Sequence, residues 1–123
     1  MTSLSDDEVR QFLIDNGYPN HIARDGREGL IRRWCAFVSE VERGYEYGLE
    51  DYRNDLDLRG AIELLGLSEL VSDADQRLES MLIDRDVRVW ESLAGANSPW
   101  DWGYPRNASK LLRADLQRAG LVD

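Results

Sequence analysis

The side chains best suited to catalysis are scarce in this sequence. Among its 123 residues, His21 is the single histidine and Cys35 the single cysteine. A histidine with a nearby carboxylate, here Asp25, can act as a general base. However, no second histidine accompanies it, and Cys35 lies beside Trp34 in an apolar periodic stretch. A loop histidine with local hydrogen bonds and a buried, small apolar cysteine are the simpler interpretations, so we assign no catalytic residue.

Motifs for metals and cofactors are also lacking. Residues 55–60 superficially resemble a calcium-binding loop, with acids at positions 1 and 3 and glycine at position 6. Position 5 is Arg59, however, and position 12 is Gly66, where a bidentate glutamate is needed. A single cysteine excludes a cysteine-cluster metal site, and no phosphate-binding glycine motif or zinc spacing is present. We therefore predict no metal and no cofactor.

Acidic side chains are concentrated in the middle of the chain. The sequence has 24 Asp and Glu against 15 Lys and Arg, a net charge of −9. Residues 39–86 alone carry 14 acids and 5 bases, which equals that whole excess, while the two ends nearly cancel. This charge would repel nucleic acid and anionic membranes, so we predict neither as a partner.

The sequence also bears on the cellular compartment. The first residues have neither the basic nor the apolar region of a signal peptide. No apolar run approaches the roughly 18 residues that would span a bilayer. With a single cysteine, these features predict a cytoplasmic protein.

The first helix has the clearest signals. Ser5 and Glu8 have the spacing of a capping box, in which each side chain bonds the other's backbone N–H. Gly17 is a natural C-terminal stop. We predict a helix over 6–16, followed by a loop over 18–26.

A long apolar stripe follows this loop. Its members recur every three or four residues, which keeps them on one side of a helix for about seven turns. They are Leu30, Trp34, Val38, Val41, Tyr45, Leu49, Tyr52 and Leu56. The stripe predicts one central rod over 27–54. Gly44 and Gly48 each disfavour a helix by roughly 1 kcal/mol relative to alanine, so a kink or break there is the alternative.

Shorter elements are predicted for the rest of the chain. Residues 54–57 suggest a turn, followed by a short helix that Gly66 ends. Another helix begins at Ser72 and runs to about residue 84. Alternation of apolar and basic residues allows a short extended piece near 87–90.

The C-terminal part is predicted to contain a long ordered loop and one more helix. Glycine, asparagine, serine and two prolines place the loop over 92–106. The last helix is expected over 108–119, capped by Asn107, with a glycine stop at Gly120. Its buried residues are expected to be Leu111, Leu112 and Leu116. The fold class is thus all-α: a single domain over 1–123, formed by an irregular bundle of about five helices.

The acidic middle is the first candidate binding surface. Glu42, Glu46 and Glu50 are four residues apart and would stack along one side of the rod, with Asp51 and Asp55 beside them. One interpretation is a solvated face that keeps the protein soluble. The other is a docking surface for a basic protein, which an interleaved tyrosine favours slightly. The candidate partner-binding residues here are Glu42, Glu46, Tyr47, Glu50, Asp51, Asp55 and Asp57.

An aromatic segment is the second candidate. Trp100, Trp102 and Tyr104 alternate with other residues and would share one side of an extended chain, and Trp90 lies nearby. The simpler interpretation is a loop that folds its rings over the bundle. The alternative is an exposed anchor for a partner, because tryptophan and tyrosine dominate binding hot spots.

Three functional hypotheses follow from these surfaces. The leading one is an acidic protein-binding module, such as an immunity or antitoxin-like inhibitor that covers a basic surface of its partner. The second is a structural or self-associating protein that uses the aromatic loop 90–104. The third is a small enzyme or ligand-binding bundle that uses carboxylates, although the sequence selects no pair.

Overall fold

A computed structural model describes residues 5–83 and 103–122, which form a mostly helical bundle with a small two-stranded sheet. The predicted all-α class is confirmed. In chain order the elements are α1 (Asp6–Asp15), α2 (Asn20–Ala23), α3 (Gly26–Arg43), α4 (Leu49–Leu64), a 3₁₀ turn (Ser68–Val71), α5 (Ser72–Glu79), β1 (Leu82–Ile83), β2 (Tyr104–Pro105) and α6 (Lys110–Arg118). None of the helices in this described part has both the length and the apolar composition needed to cross a membrane.

Helix α1 forms as the sequence predicts. The Glu8 backbone N–H donates to Ser5 Oγ at 3.2 Å, and the Ser5 N–H donates to Glu8 Oε1 at 3.1 Å. Gly17 adopts a φ of 85°, where residues other than glycine are strained, and ends the helix. The predicted loop over 18–26 is wrong in part, because α2 forms within it: the carbonyl of Pro19 accepts from the N–H groups of residues 22 and 23.

The predicted central rod is two helices, α3 and α4, joined by residues 44–48. Gly44 has a φ of 111°, which breaks the helix at the first of the two suspected glycines. The apolar stripe is nevertheless correct, because every residue from Leu30 to Leu56 assigned to it is buried. Since the connection is short and the two helices pack together, α3 and α4 form a helical hairpin that keeps both halves of the stripe on the core.

Helix α4 continues through residues 54–57, so the turn predicted there is wrong. The helix begins at Leu49, before the turn predicted over 54–57. At this start the Leu49 N–H donates to Asp115 Oδ2 at 3.0 Å. A carboxylate from α6 thereby satisfies one of the N–H groups that a helix start leaves without a partner. The end agrees with prediction, since Gly66 adopts a φ of 73° just after the helix.

The C-terminal elements depart from prediction at their boundaries. Helix α5 ends at Glu79, and β1 follows, pairing antiparallel with β2 in the register Leu82↔Pro105. The extended piece predicted at 87–90 lies outside the described residues, as does most of the predicted loop. Helix α6 is capped by Ser109, whose Oγ accepts from the Leu112 N–H at 3.1 Å.

The predicted cap of α6, Asn107, instead donates from its side-chain amide to the carbonyl of Val41 at 3.1 Å. It thus tethers the segment before α6 to the end of α3. Leu112 and Leu116 are fully buried as predicted, whereas Leu111 is 51% exposed and faces outward.

The core contains one charged side chain among the described residues, Arg59, which is 3% exposed. Its guanidinium donates to both oxygens of Asp75 at 2.9–3.1 Å and to Ser68 Oγ at 3.0 Å. Trp34 donates to the same aspartate at 2.9 Å, and Glu63 accepts from both Arg59 and Ser68. This network links α3, α4, the 3₁₀ turn and α5.

Candidate functional site: an acidic groove between α3 and α4

The hairpin of α3 and α4 opens outward into two neighbouring surface concavities. One, of about 300 Å³, is lined by Glu40, Arg43, Gly44, Glu46 and Tyr47. The other, of about 160 Å³, shares Glu40 and adds Arg33 and Asp55 together with apolar residues of both helices. We call these two concavities, which share Glu40 and contain the carboxylates Glu40, Glu46 and Asp55, the acidic groove. Asp51 lies beside it, near enough for its charge to act on Asp55.

Tyr45 lies beneath the acidic groove and organises it. The ring is 1% exposed, and its hydroxyl donates to Asp55 Oδ2 at 2.7 Å. Burial beside the carboxylates of Asp55, Asp51 and Glu40 raises the pKa of this tyrosine well above its ordinary value. The hydroxyl therefore stays protonated and serves as a fixed donor.

Asp55 has more negative than positive charges around it. Burial raises the pKa of its carboxyl above the ordinary value, and the negative charges of Glu40 and Asp51 add to this effect. The hydrogen bond from Tyr45 and the charge of Arg33 act in the opposite direction. The net result is a half-buried carboxylate that an additional cation would stabilise.

The other carboxylates at or beside the acidic groove form no ion pair within the part of the chain that the structure describes. Within residues 5–83 and 103–122, Glu40, Glu46 and Asp51 have no arginine or lysine nitrogen within 4.0 Å. Arg33 and Arg43 lie at the same concavities, and neither forms an ion pair with a carboxylate of the described residues there. Carboxylates from three segments of the chain thus meet in the groove and outnumber its guanidinium groups.

Tyr47 supplies an exposed aromatic ring at this site. Its side chain is 51% exposed, and its ring packs edge-on against Tyr45 with centroids 5.5 Å apart and planes at 73°. This contact holds the ring beside Glu46 and Glu40, with which it lines the larger concavity. An aromatic face next to carboxylates is a suitable surface for an arginine or lysine side chain.

The structure separates other residues that the sequence groups with this surface. Glu42 points toward α5 and forms an ion pair with Arg77, which lowers the pKa of the glutamate. Glu50 lines a different, open groove with Arg53 and Arg118, between α4 and α6. The predicted row of Glu42, Glu46 and Glu50 does not exist, because the helix breaks before Glu46.

Asp57 also faces a different neighbour. It accepts a 2.7 Å hydrogen bond from the hydroxyl of Tyr18 and borders a concavity of about 370 Å³. Asn54 and Arg33 line the same space. Asp57 therefore lines a depression that adjoins the acidic groove at Arg33 and Asp55, whereas Glu50 lines a third one.

The aromatic segment is described only in part. Trp90, Trp100 and Trp102 lie outside the described residues. Tyr104 is 7% exposed and belongs to β2 and the core. Its ring therefore packs inside the bundle instead of forming an exposed anchor.

The structure places His21 and Cys35 apart from the acidic groove. His21 is exposed on α2 and borders an open concavity with Arg32 and Arg33. Cys35 is half-buried on α3 against the core. Across the described residues, no group of three or more histidine, cysteine, aspartate or glutamate side chains is arranged to hold a metal ion.

Sequence reasoning missed three residues that matter to this surface or its support. An unbroken helix would keep Glu40 apart from Glu46, whereas the break after Arg43 places both at the larger concavity. The sequence predicts that Leu111 is buried with Leu112 and Leu116, and this is wrong, because Leu111 is 51% exposed. The buried Arg59 had one available signal, since it stands among small and apolar residues at 58–62.

Comparison with protein-family models, with curated proteins and with solved structures finds no match to this chain.

Proposed function

We propose that this chain is an acidic protein-binding module that covers a basic surface of a partner protein, as an immunity protein or an antitoxin does. The observation that carries the proposal is that the charges of Glu40 and Asp51 act on the half-buried Asp55, while Glu46 lies beside Glu40. Glu40, Glu46 and Asp51 form no ion pair among the described residues. These carboxylates come from α3, the connection after it and α4.

Electrostatics supports this proposal. Like charges held close together repel one another, and the repulsion is relieved when a cation lies between them. Glu40, Asp51 and Asp55 are near enough for their charges to act on Tyr45 together. A lysine or arginine of a partner would supply the missing positive charge, and complementary fields would speed the encounter.

The exposed ring of Tyr47 adds a contact that charge alone does not provide. Tyrosine and arginine are enriched among the residues that contribute most to binding. A ring held in place by Tyr45 loses little conformational entropy when a partner covers it. The acidic groove thus combines charge with a rigid aromatic surface.

The test is affinity capture from cells that produce the chain, followed by binding measurements on the purified pair. We expect a basic protein that binds at low ionic strength and dissociates in about 1 M salt, where the Debye length falls to roughly 3 Å. Glu46→Lys with Asp51→Lys should weaken binding at least about tenfold, the change expected when close charge pairs are lost.

A matched control is Glu28→Lys with Glu69→Lys. Both residues are exposed, lie away from the acidic groove and form no ion pair among the described residues, and their reversal changes the net charge equally. If the two double variants bind the partner equally well, or if the captured partner is acidic, the proposal is wrong.

A further inference from the structure

We infer that the exposed side chains of Tyr47 and Leu111 form an apolar anchor beside the acidic groove, and that it receives one apolar side chain from a basic segment of the partner. This inference rests on the proposed function. It adds the place where the partner makes apolar contact and extends the binding surface onto α6.

Helix α6 brings Leu111 to this position by packing directly on residues 47–49. Ser109 Oγ donates to the carbonyl of Tyr47 at 3.4 Å, and Asp115 accepts from the Leu49 N–H at 3.0 Å. A Cβ placed on Gly48 would lie 3.5 Å from Leu111 Cγ and would clash with the Asp115 carboxylate. Leu111 therefore sits against the residue that follows Tyr47.

Both side chains are half exposed although the core lies next to them. Tyr47 and Leu111 are each 51% exposed, whereas Leu112 and Leu116 on the same helix are fully buried. The Tyr47 ring is supported from below by Tyr45. Tyr47 and Leu111, on either side of the close approach of α6 to Gly48, are thus apolar side chains that face solvent, of the kind that binding partners cover.

The charges beside this anchor indicate what covers it. Glu46 precedes Tyr47 and shares the acidic groove with it, so one side of the anchor is negative. Lys110 is exposed next to Leu111, so the α6 side carries a positive charge. By charge complementarity, the occupant is a basic segment whose cations lie over Glu46 and the groove, with an apolar residue seated on Leu111 and Tyr47.

Other half-exposed apolar side chains provide controls. Ile14, Leu64 and Leu70 are 49%, 52% and 60% exposed. Ile14 lies on α1, Leu64 at the end of α4 and Leu70 in the 3₁₀ turn. None of them borders the concavities that form the acidic groove.

The experiment uses the purified full chain and two short synthetic peptides with the same number of lysines. One peptide has a leucine at its centre and the other has a serine there. We expect fluorescence anisotropy to show about tenfold tighter binding of the leucine peptide, since part of that side chain leaves water. Leu111→Ser or Tyr47→Ser should remove most of this preference for the leucine peptide. Leu70→Ser should preserve the preference.

A charge variant separates this inference from the proposed function. Glu46→Lys with Asp51→Lys should weaken both peptides while keeping their ratio. The inferred anchor is wrong if both peptides bind equally. It is also wrong if Leu111→Ser leaves the ratio of the two affinities unchanged in a protein with a wild-type circular dichroism spectrum. In either case the proposed binding function of the acidic groove is retained. If neither peptide binds at low ionic strength, the proposed function fails and the anchor fails with it.

Discussion

The hydroxyl of Tyr45 donates a 2.7 Å hydrogen bond to Oδ2 of Asp55. Through this bond, a buried ring from the connection between α3 and α4 holds a half-buried carboxylate at the edge of the core. The carboxylate is desolvated and lies near Glu40 and Asp51. This negative charge is therefore unfavourable in the isolated protein, and in the complex proposed above a cation of the partner would neutralise it.

The first prediction concerns Asp55 and pH. Because burial raises the pKa of Asp55, the folded protein binds this proton more readily than the unfolded chain does. Its contribution thus favours folding below the ordinary pKa of 3.8 and is lost as the pH rises through the raised folded-state pKa. Asp55→Asn keeps an oxygen that can accept from Tyr45, and it should increase the free energy of unfolding at neutral pH.

Urea denaturation across acidic and neutral pH measures this effect. We expect Asp55→Asn to show a shallower fall in stability as the pH rises above 3.8 than the wild type shows. Glu69→Gln, an exposed carboxyl in the 3₁₀ turn, serves as the control and should change neither quantity. A less stable Asp55→Asn protein at neutral pH would contradict the prediction.

The second prediction concerns the buried ion pair of Arg59 and Asp75. Arg59→Met leaves the carboxylate of Asp75 inside the bundle without its guanidinium, and should lower the free energy of unfolding by about 3–5 kcal/mol. Arg59→Met with Asp75→Leu removes both charges and should be more stable than Arg59→Met alone. Chemical denaturation of the three proteins gives the comparison; a double variant that is no more stable than Arg59→Met would refute this account.

The third prediction compares two buried tyrosines. The hydroxyl of Tyr52 has no hydrogen-bond partner, although the side chain is fully buried within the described structure. Tyr52→Phe should therefore leave stability unchanged or increase it by up to about 1 kcal/mol. Tyr45→Phe removes the same group but breaks the bond to Asp55, and should destabilise by about 1–3 kcal/mol. Equal effects of the two substitutions on the urea midpoint would show that the Tyr45 bond contributes nothing.

The fourth prediction tests the close packing of α6 on Gly48. This glycine has a φ of −87°, which suits any residue, so alanine there causes only a steric conflict with the Asp115 carboxylate. Gly48→Ala should cost about 1–3 kcal/mol of stability. In a protein that already carries Asp115→Ala, the same change should cost much less. Thermal or urea unfolding of the double-mutant cycle measures the coupling, and additive effects would exclude this contact as the cause.

The sequence by itself determined the local features of this fold. The capping box of Ser5 and Glu8 and the stop at Gly17 depend on groups only a few residues apart, so short-range geometry suffices to predict them. The burial of the apolar stripe from Leu30 to Leu56 is also predictable from the sequence, because burial follows hydrophobic periodicity. The concentration of negative charge in the middle of the chain is a property of composition alone.

Only the tertiary structure decided which of those charges face one another. The break at Gly44 takes Glu46 out of the helix, so Glu46 does not stack on Glu42 and lies with Glu40 in the acidic groove. Whether a carboxylate is exposed, bonded to a tyrosine or paired with Arg77 depends on side chains from distant segments. Such contacts have no short-range signature, because they arise from the packing of whole helices, and the candidate site consists of them.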